Sequence, residues 1–327
     1  MMDKVLEVKN LKLYYYTNKG PVHAVDDISF DIYKGETLGV VGESGCGKST
    51  TGKLLMKLIE PTDGKIIFRG EDVTYLEKEK IKKYKEKVQM IFQDPYASLN
   101  PRFKIRDVLT EPLVIHNLGE SRKEREELAI EALEEVKLTP AKDFMERYSH
   151  MLSGGQRQRA ATARTLILSP DFIIADEPVS MIDVSTRAEI LQMMKEVQQD
   201  LDLTYFYITH DLSTARYFTD RIAVMYLGRI IEMGKADDII DNTIHPYTKA
   251  LISAVCEPIP GRVNKVKEVP IKGEITSAAN LPQGCRFHPR CISAKPECWE
   301  NDETELMEVE AEHFVACRRW RELTNFG

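Results

Sequence analysis

The chain of 327 residues has room for about two domains. Its 45 Lys and Arg against 52 Asp and Glu leave a net charge of −7, which argues against a protein whose main work is neutralising nucleic-acid phosphates. A 43% hydrophobic content suits a packed core, no apolar run reaches the ~20 residues that span a bilayer, and Met1-Met2-Asp3-Lys4 opens no secretion signal. A soluble cytosolic protein is expected.

In chain order, β-branched runs at 37–41, 88–92, 172–175 and 205–208 read as strands. A helix is expected over 50–58, and the charge run 77–87 reads as a solvated helix face. Residues 121–136 predict a helix with Leu128, Ala132, Leu133 and Val136 on its apolar side, and 156–168 predict another. Residues 221–225 and 229–232 read as a hairpin turning at Gly228. Alternating strands and helices imply an α/β core around a mostly parallel sheet. After residue 244, Pro258, Pro260, Gly261, Pro270, Gly273, Pro282 and Gly284 punctuate a loop-rich tail. The domains expected are therefore 1–244 and 245–327.

Three motifs carry chemistry. Gly42-Glu43-Ser44-Gly45-Cys46-Gly47-Lys48-Ser49-Thr50 fits G-x-x-x-x-G-K-[ST], between a strand and a helix. Its glycines let backbone amides turn around phosphate oxygens, Lys48 reaches the outer phosphates, and Ser49 offers a hydroxyl to Mg²⁺. The apolar strand Phe172-Ile173-Ile174-Ala175 ends in Asp176 and Glu177, at the sheet edge where α/β proteins bind ligands. Asp176 suits Mg²⁺, and Glu177 suits polarising an attacking water. Between them, Leu152-Ser153-Gly154-Gly155-Gln156 opens a helix whose N-terminus favours an anion, although Ser153 also reads as an ordinary cap.

Together these residues resemble the ATP-binding subunit of an ABC transporter. The resemblance implies a P-loop NTPase core, a helical subdomain at about 95–165, and ATP with Mg²⁺ as ligands. It implies a head-to-tail pair of ATPase subunits, identical or different, in which Ser153, Gly154, Gly155 and Gln156 of one face the nucleotide of the other. Gln93 matches the glutamine that contacts Mg²⁺ and couples to membrane subunits, and His210 the histidine that senses the γ-phosphate. Tyr15, within Tyr14-Tyr15-Tyr16, matches the adenine-stacking aromatic. Asp183 is retained in the loop after Glu177, while Met181 departs from the usual alanine. Two membrane permease subunits near 95–114, a solute-binding protein acting indirectly, a place on the cytoplasmic membrane face and no nucleic acid follow from the same likeness.

Six cysteines complete the inventory: Cys46, Cys256, and a tail set Cys285, Cys291, Cys298 and Cys317 with gaps of five, six and eighteen residues. Four thiols so placed in a cytosolic chain suggest a thiolate-held iron–sulfur cluster, with zinc as the alternative. Cys46 and Cys256 are not ligands by spacing. The tail also resembles that of dipeptide and oligopeptide importer ATPases, through His245-Pro246-Tyr247-Thr248 and Cys285-Arg286-Phe287-His288-Pro289-Arg290-Cys291. That likeness implies a [4Fe–4S] cluster on the four cysteines, with Ile292 departing from a common proline. The function it implies is the ATPase of a peptide importer; nickel, oligosaccharide or a non-transport ABC ATPase are the alternatives.

Overall fold

The computed structural model describes residues 3–18, 20–254, 271–273, 278–300 and 305–324. The chain opens with two long strands that the motif reading does not pick out, β1 (Lys4–Thr17) and β2 (Gly20–Tyr33), paired antiparallel from Lys4↔Tyr33 to Thr17↔Gly20. Alternate side chains such as Leu11, Leu13, Ile28, Phe30 and Ile32 are buried, the period-two pattern of a sheet covered on one face. β3 (Thr37–Val41) follows, buried at every position, and leads into helix α1 (Lys48–Leu55). The helix begins before its expected start at residue 50. It stops early because Lys57, at φ +55°, leaves helical space. β4 (Asp63–Phe68) and β5 (Glu71–Asp72) then join the first pair in a four-stranded antiparallel sheet, β2-β1-β4-β5.

The charge run forms α2 (Lys78–Lys87), which buries Tyr84, and β6 (Val88–Ile91) comes next. A helical layer then spans α3 (Pro95–Ser98), α4 (Ile105–His116), α5 (Arg122–Glu135), α6 (Ala141–Met145) and α7 (Gly154–Leu166). Ser121 caps α5 by accepting from the Glu124 amide at 3.1 Å. Leu109, Leu113, Ala129, Leu133 and Leu152 pack into one core with side chains of the central sheet.

The remaining elements are β7 (Phe172–Asp176), α8 (Val184–Leu201), β8 (Thr204–Ile208), α9 (Leu212–Phe218), β9 (Arg221–Tyr226), β10 (Arg229–Lys235), α10 (Ala236–Asp241), α11 (Pro246–Ala254), β11 (Met307–Glu310), β12 (His313–Val315) and α12 (Trp320–Leu323). The main sheet has the order β11-β12-β10-β9-β3-β8-β7-β6. From β9 to β6 every pairing is parallel, as expected. From β9 outward to β11 every pairing is antiparallel, so the sheet is mixed rather than mostly parallel. The reason is local: the hairpin at Gly228 reverses the chain at β9, and tail strands add to the edge it creates.

The tail is joined to this edge through a buried carboxylate. Glu232 on β10 is 0% exposed and accepts from the amides of Ile244 (2.7 Å) and His245 (3.1 Å), from Thr243 Oγ1 (3.1 Å) and from His313 Nε2 (2.9 Å). Burial works to raise its pKa, but the His313 ring and the Ile244 amide outweigh it and hold the group below 4.5. A carboxylate so depressed contributes fully above its ordinary value, and loses that contribution as pH falls through the folded value. Glu232→Gln is therefore expected to destabilise the chain by about 2 kcal/mol at neutral pH. The difference from the parent should shrink below about pH 4, which chemical denaturation at the two pH values reads directly.

Candidate active site

At the end of β3 the chain turns through Gly42 at φ +152°. A Cβ there would stand 2.3 Å from the Met225 carbonyl oxygen of β9, so only glycine lets the loop pass. Ser44 and Gly45 form the exposed tip, Cys46 is buried beneath it, and Gly47 in the left-handed region starts α1, whose first turn carries Ser49 and Thr50. Lys48 folds back inside the loop, its Nζ donating to the Gly42 carbonyl at 2.7 Å and the Glu43 carbonyl at 3.0 Å. An incoming phosphate offers this ammonium charged acceptors in place of neutral ones. The N-terminal end of α1 contributes the same polarity.

Three neighbouring parallel strands bring the remaining groups to one edge. Asp176 at the end of β7 accepts from Ser49 Oγ at 2.9 Å. Burial pushes its carboxyl above the ordinary value; Glu177 adds repulsion, while the Ser49 hydroxyl pulls the other way. Glu177 Oε2 accepts from Gln93 Nε2 at 2.9 Å, beyond β6, and lies 3.1 Å from His210 Nδ1, beyond β8. Glu177 itself sits at φ +47°, a left-handed conformation that costs about 1 kcal/mol for a non-glycine residue. Its amide, donating to the Ile208 carbonyl at 2.9 Å, helps fix that conformation. The Ser49 hydroxyl, the Asp176 carboxylate and the Gln93 amide oxygen are the hard oxygen donors that suit Mg²⁺.

Other expected residues stand elsewhere. Ser153 and Gln156 form a reciprocal capping box at the start of α7, so the ordinary cap is realised along with the exposed serine. Nothing lies within 4 Å of a Cβ built on Gly154, whereas one on Gly155 would meet Thr186 at 2.6 Å. Asp183 caps α8 through its backbone and is exposed, as is Met181. Tyr14 is committed to the protein: its ring packs on His23 at 4.2 Å, and its hydroxyl donates to Asp26. Tyr15 keeps an open ring face, 46% exposed.

The four tail cysteines line one small cavity together with His245, Phe287 and His288. Burial raises the thiol pKa of Cys285 to about 11 and of Cys317 to about 12, and raises that of Cys291. Among the described residues, no group of three or more His, Cys, Asp or Glu side chains is placed to hold a metal ion. Thiols buried in apolar surroundings favour the protonated form. The donor set, four thiols about one cavity, does fit a thiolate-bound group. Cys256 lies outside the described residues.

Sequence reasoning missed the residues that tie the tail to the loop. Arg290 donates to both Glu43 carboxylate oxygens at 2.7 and 2.9 Å, and Tyr247 Oη accepts from the Glu43 amide at 2.8 Å. Arg286 pairs with Asp26 of β2. Burial works to raise the Asp26 carboxyl, yet the Tyr14 hydroxyl and Arg286 hold it down at about 2. The only signal in the sequence was a pair of arginines between Cys285 and Cys291, inside a block read for its thiols.

A glycine-turned phosphate loop on a parallel sheet, with carboxylates at the next-but-one strand end, defines a nucleoside-triphosphatase. Residues 25–180 match the family described as ABC transporter, and residues 231–298 the one described as oligopeptide/dipeptide transporter, C-terminal region. The oligopeptide transport ATP-binding protein AppF of Bacillus subtilis (strain 168) is 47% identical over 325 residues, covering 96% of this chain and 97% of that protein. OppF of the same organism is 46% identical over 319 residues, covering 97% of each. The dimeric post-hydrolysis structure of the ATP-binding cassette MJ0796 bound to ADP and Pi has a TM-score of 0.64 at 29% identity, over 71% of this chain and 98% of that one. The chain belongs to the ATP-binding subunits of the oligopeptide/dipeptide ABC transporter family, and is an ATP-hydrolysing enzyme of that class.

The two glycine environments separate fold from function. Gly42→Ala is expected to lower stability by about 2 kcal/mol or more, because both the space and the dihedral are denied. Gly154→Ala should leave stability unchanged or slightly raised, since alanine favours the helix and meets nothing. Equilibrium unfolding of both variants checks the contrast.

Proposed function

We infer that this chain energises the import of dipeptides or oligopeptides by binding and hydrolysing ATP at the cytoplasmic face of a membrane. The observation that carries the catalytic part is the Glu177 carboxylate, held between Gln93 and His210 next to Asp176 and Ser49. The names of the relatives, oligopeptide transport ATP-binding proteins, support the solute class.

Loop amides between Ser44 and Thr50 cradle the phosphates, Lys48 turns from the Gly42 and Glu43 carbonyls to the β and γ oxygens, and Tyr15 stacks on adenine. Glu177 orients and polarises the attacking water; His210 holds the γ-phosphate side of that water. Bound Mg²⁺, held by Ser49, Asp176 and Gln93, would neutralise charge on the β and γ oxygens. A second ATPase subunit brings its Ser153, Gly154, Gly155 and Gln156 to the open side of the nucleotide, and Asp183 lines the same junction. The open space around Gly154 suits such an approach. ATP then forms part of the interface, so binding closes the pair and loss of the γ-phosphate releases it.

No helix among the described residues is long and apolar enough to cross a membrane. Permease subunits supply the channel, docking where Phe92, Tyr96, Phe103, Val114 and Ile115 expose apolar surface around α3 and α4. A solute-binding protein acts through those permeases. The tail cavity, lined by Cys285, Cys291, Cys298 and Cys317, is the place for a [4Fe–4S] cluster serving as a local staple, with zinc as the competing occupant.

Two measurements test these readings. Glu177→Gln should bind ATP as the parent does while turnover falls by about 100-fold or more; near-parental steady-state ATPase would overturn the role of Glu177. Anaerobically purified chain should be brown, absorb near ~400 nm and carry about four irons. A colourless preparation with one zinc per chain would overturn the cluster.

A further inference from the structure

The phosphate loop is gripped from outside the nucleotide site by residues that lie more than 200 positions further along the chain. Glu43, its second residue, is held on both backbone and side chain. Its amide donates to Tyr247 Oη at 2.8 Å, so that N–H is directed away from the phosphates. Its carboxylate takes both terminal nitrogens of Arg290, at 2.7 and 2.9 Å, in the fork geometry that fixes direction as well as distance. The Arg290 side chain is 7% exposed and lies over the rings of Tyr226 and Phe287, at 5.8 and 5.9 Å from their centroids. Tyr226, Tyr247 and Phe287 pack on one another with centroids 4.7 to 5.4 Å apart, so both gripping groups stand on one rigid aromatic cluster. On the inner side, Lys48 holds the Gly42 and Glu43 carbonyls.

We propose that Arg290 and Tyr247 are positioning residues for ATP, clamping Glu43 so that the phosphate loop keeps its anion-binding shape when Lys48 leaves it. Further along the loop, the Cys46 amide donates to the Glu43 carbonyl at 3.3 Å and the Cys46 carbonyl accepts from the Gly228 amide at 2.9 Å, but the Glu43 side chain is fixed by the clamp. A clamp on the far side removes the ordering cost from the binding step, so it acts on nucleotide affinity rather than on the chemical step. The proposal rests on the reading of residues 42–50 as the ATP site.

The test uses the full chain, with ADP binding by calorimetry as the probe and steady-state ATPase alongside. Arg290→Ala should weaken ADP binding and raise the KM for ATP by about tenfold, with kcat at saturating ATP within about twofold of the parent. Tyr247→Phe should cause a smaller loss, and Arg290→Lys should recover part of the affinity. Glu43→Gln should match Arg290→Ala, and the double variant should be no weaker than either single one, since both remove the same pair. If Arg290→Ala fails to fold, Glu43→Gln carries the decision alone. Affinity within twofold of the parent in the folded variant overturns the clamp, whatever its melting temperature does. A parent chain that binds no ADP would instead overturn the ATP site itself, and the clamp with it.

Discussion

A backbone that points its amides at an anion cannot spend them on its own hydrogen bonds. A phosphate loop is therefore poorly held by local structure, and its neighbours must define it. Here the parallel strands on either side of β3, the start of α1 and the Lys48 side chain supply one part of that support. Gly42 passes so close to Met225 that β9 sets the path of the turn as firmly as β3 does. The rest comes from the tail, through Tyr247 and Arg290 on Glu43.

The same sheet explains how residues distant in sequence meet. Parallel strands put all their carboxyl ends on one edge, and Gln93, Glu177 and His210 follow three successive strands of that edge. A single carboxylate thus has a polar partner on each flank, Gln93 and His210, neither of them near it in sequence. The strained backbone of Glu177, anchored on the Ile208 carbonyl, aims it at this junction.

The tail after residue 244 is bound to the cassette electrostatically as well as by strand addition. Glu232 meets His313, Asp26 meets Arg286, and Glu43 meets Arg290. Each pair joins a carboxylate of the first 244 residues to a group from the cysteine-bearing region. Removing the tail partner of such a pair by substitution would leave its carboxylate buried and unpaired, which costs more than the pair itself contributes. A boundary drawn from proline and glycine punctuation marks a change in local structure at 244, while these contacts cross it.

The phosphate loop, the Asp176-Glu177 strand end and the Ser153 cap were legible in the sequence, because each is a contiguous pattern in which local chemistry dictates residue type. The strands of the parallel half were legible for the same reason: burial on both faces leaves an unbroken apolar run. β1 and β2 were not, since one-sided burial mixes Lys, Tyr and Asp into the run and long-range pairing alone makes them strands. The hairpin at Gly228 was visible, but not that its free edge would take β12. Above all, the sequence displayed two arginines between cysteines without a purpose for either. Their partners lie some 250 residues away, and only the tertiary structure decides which carboxylate a guanidinium meets, because charge pairing is set by proximity in space and leaves no periodic trace along the chain.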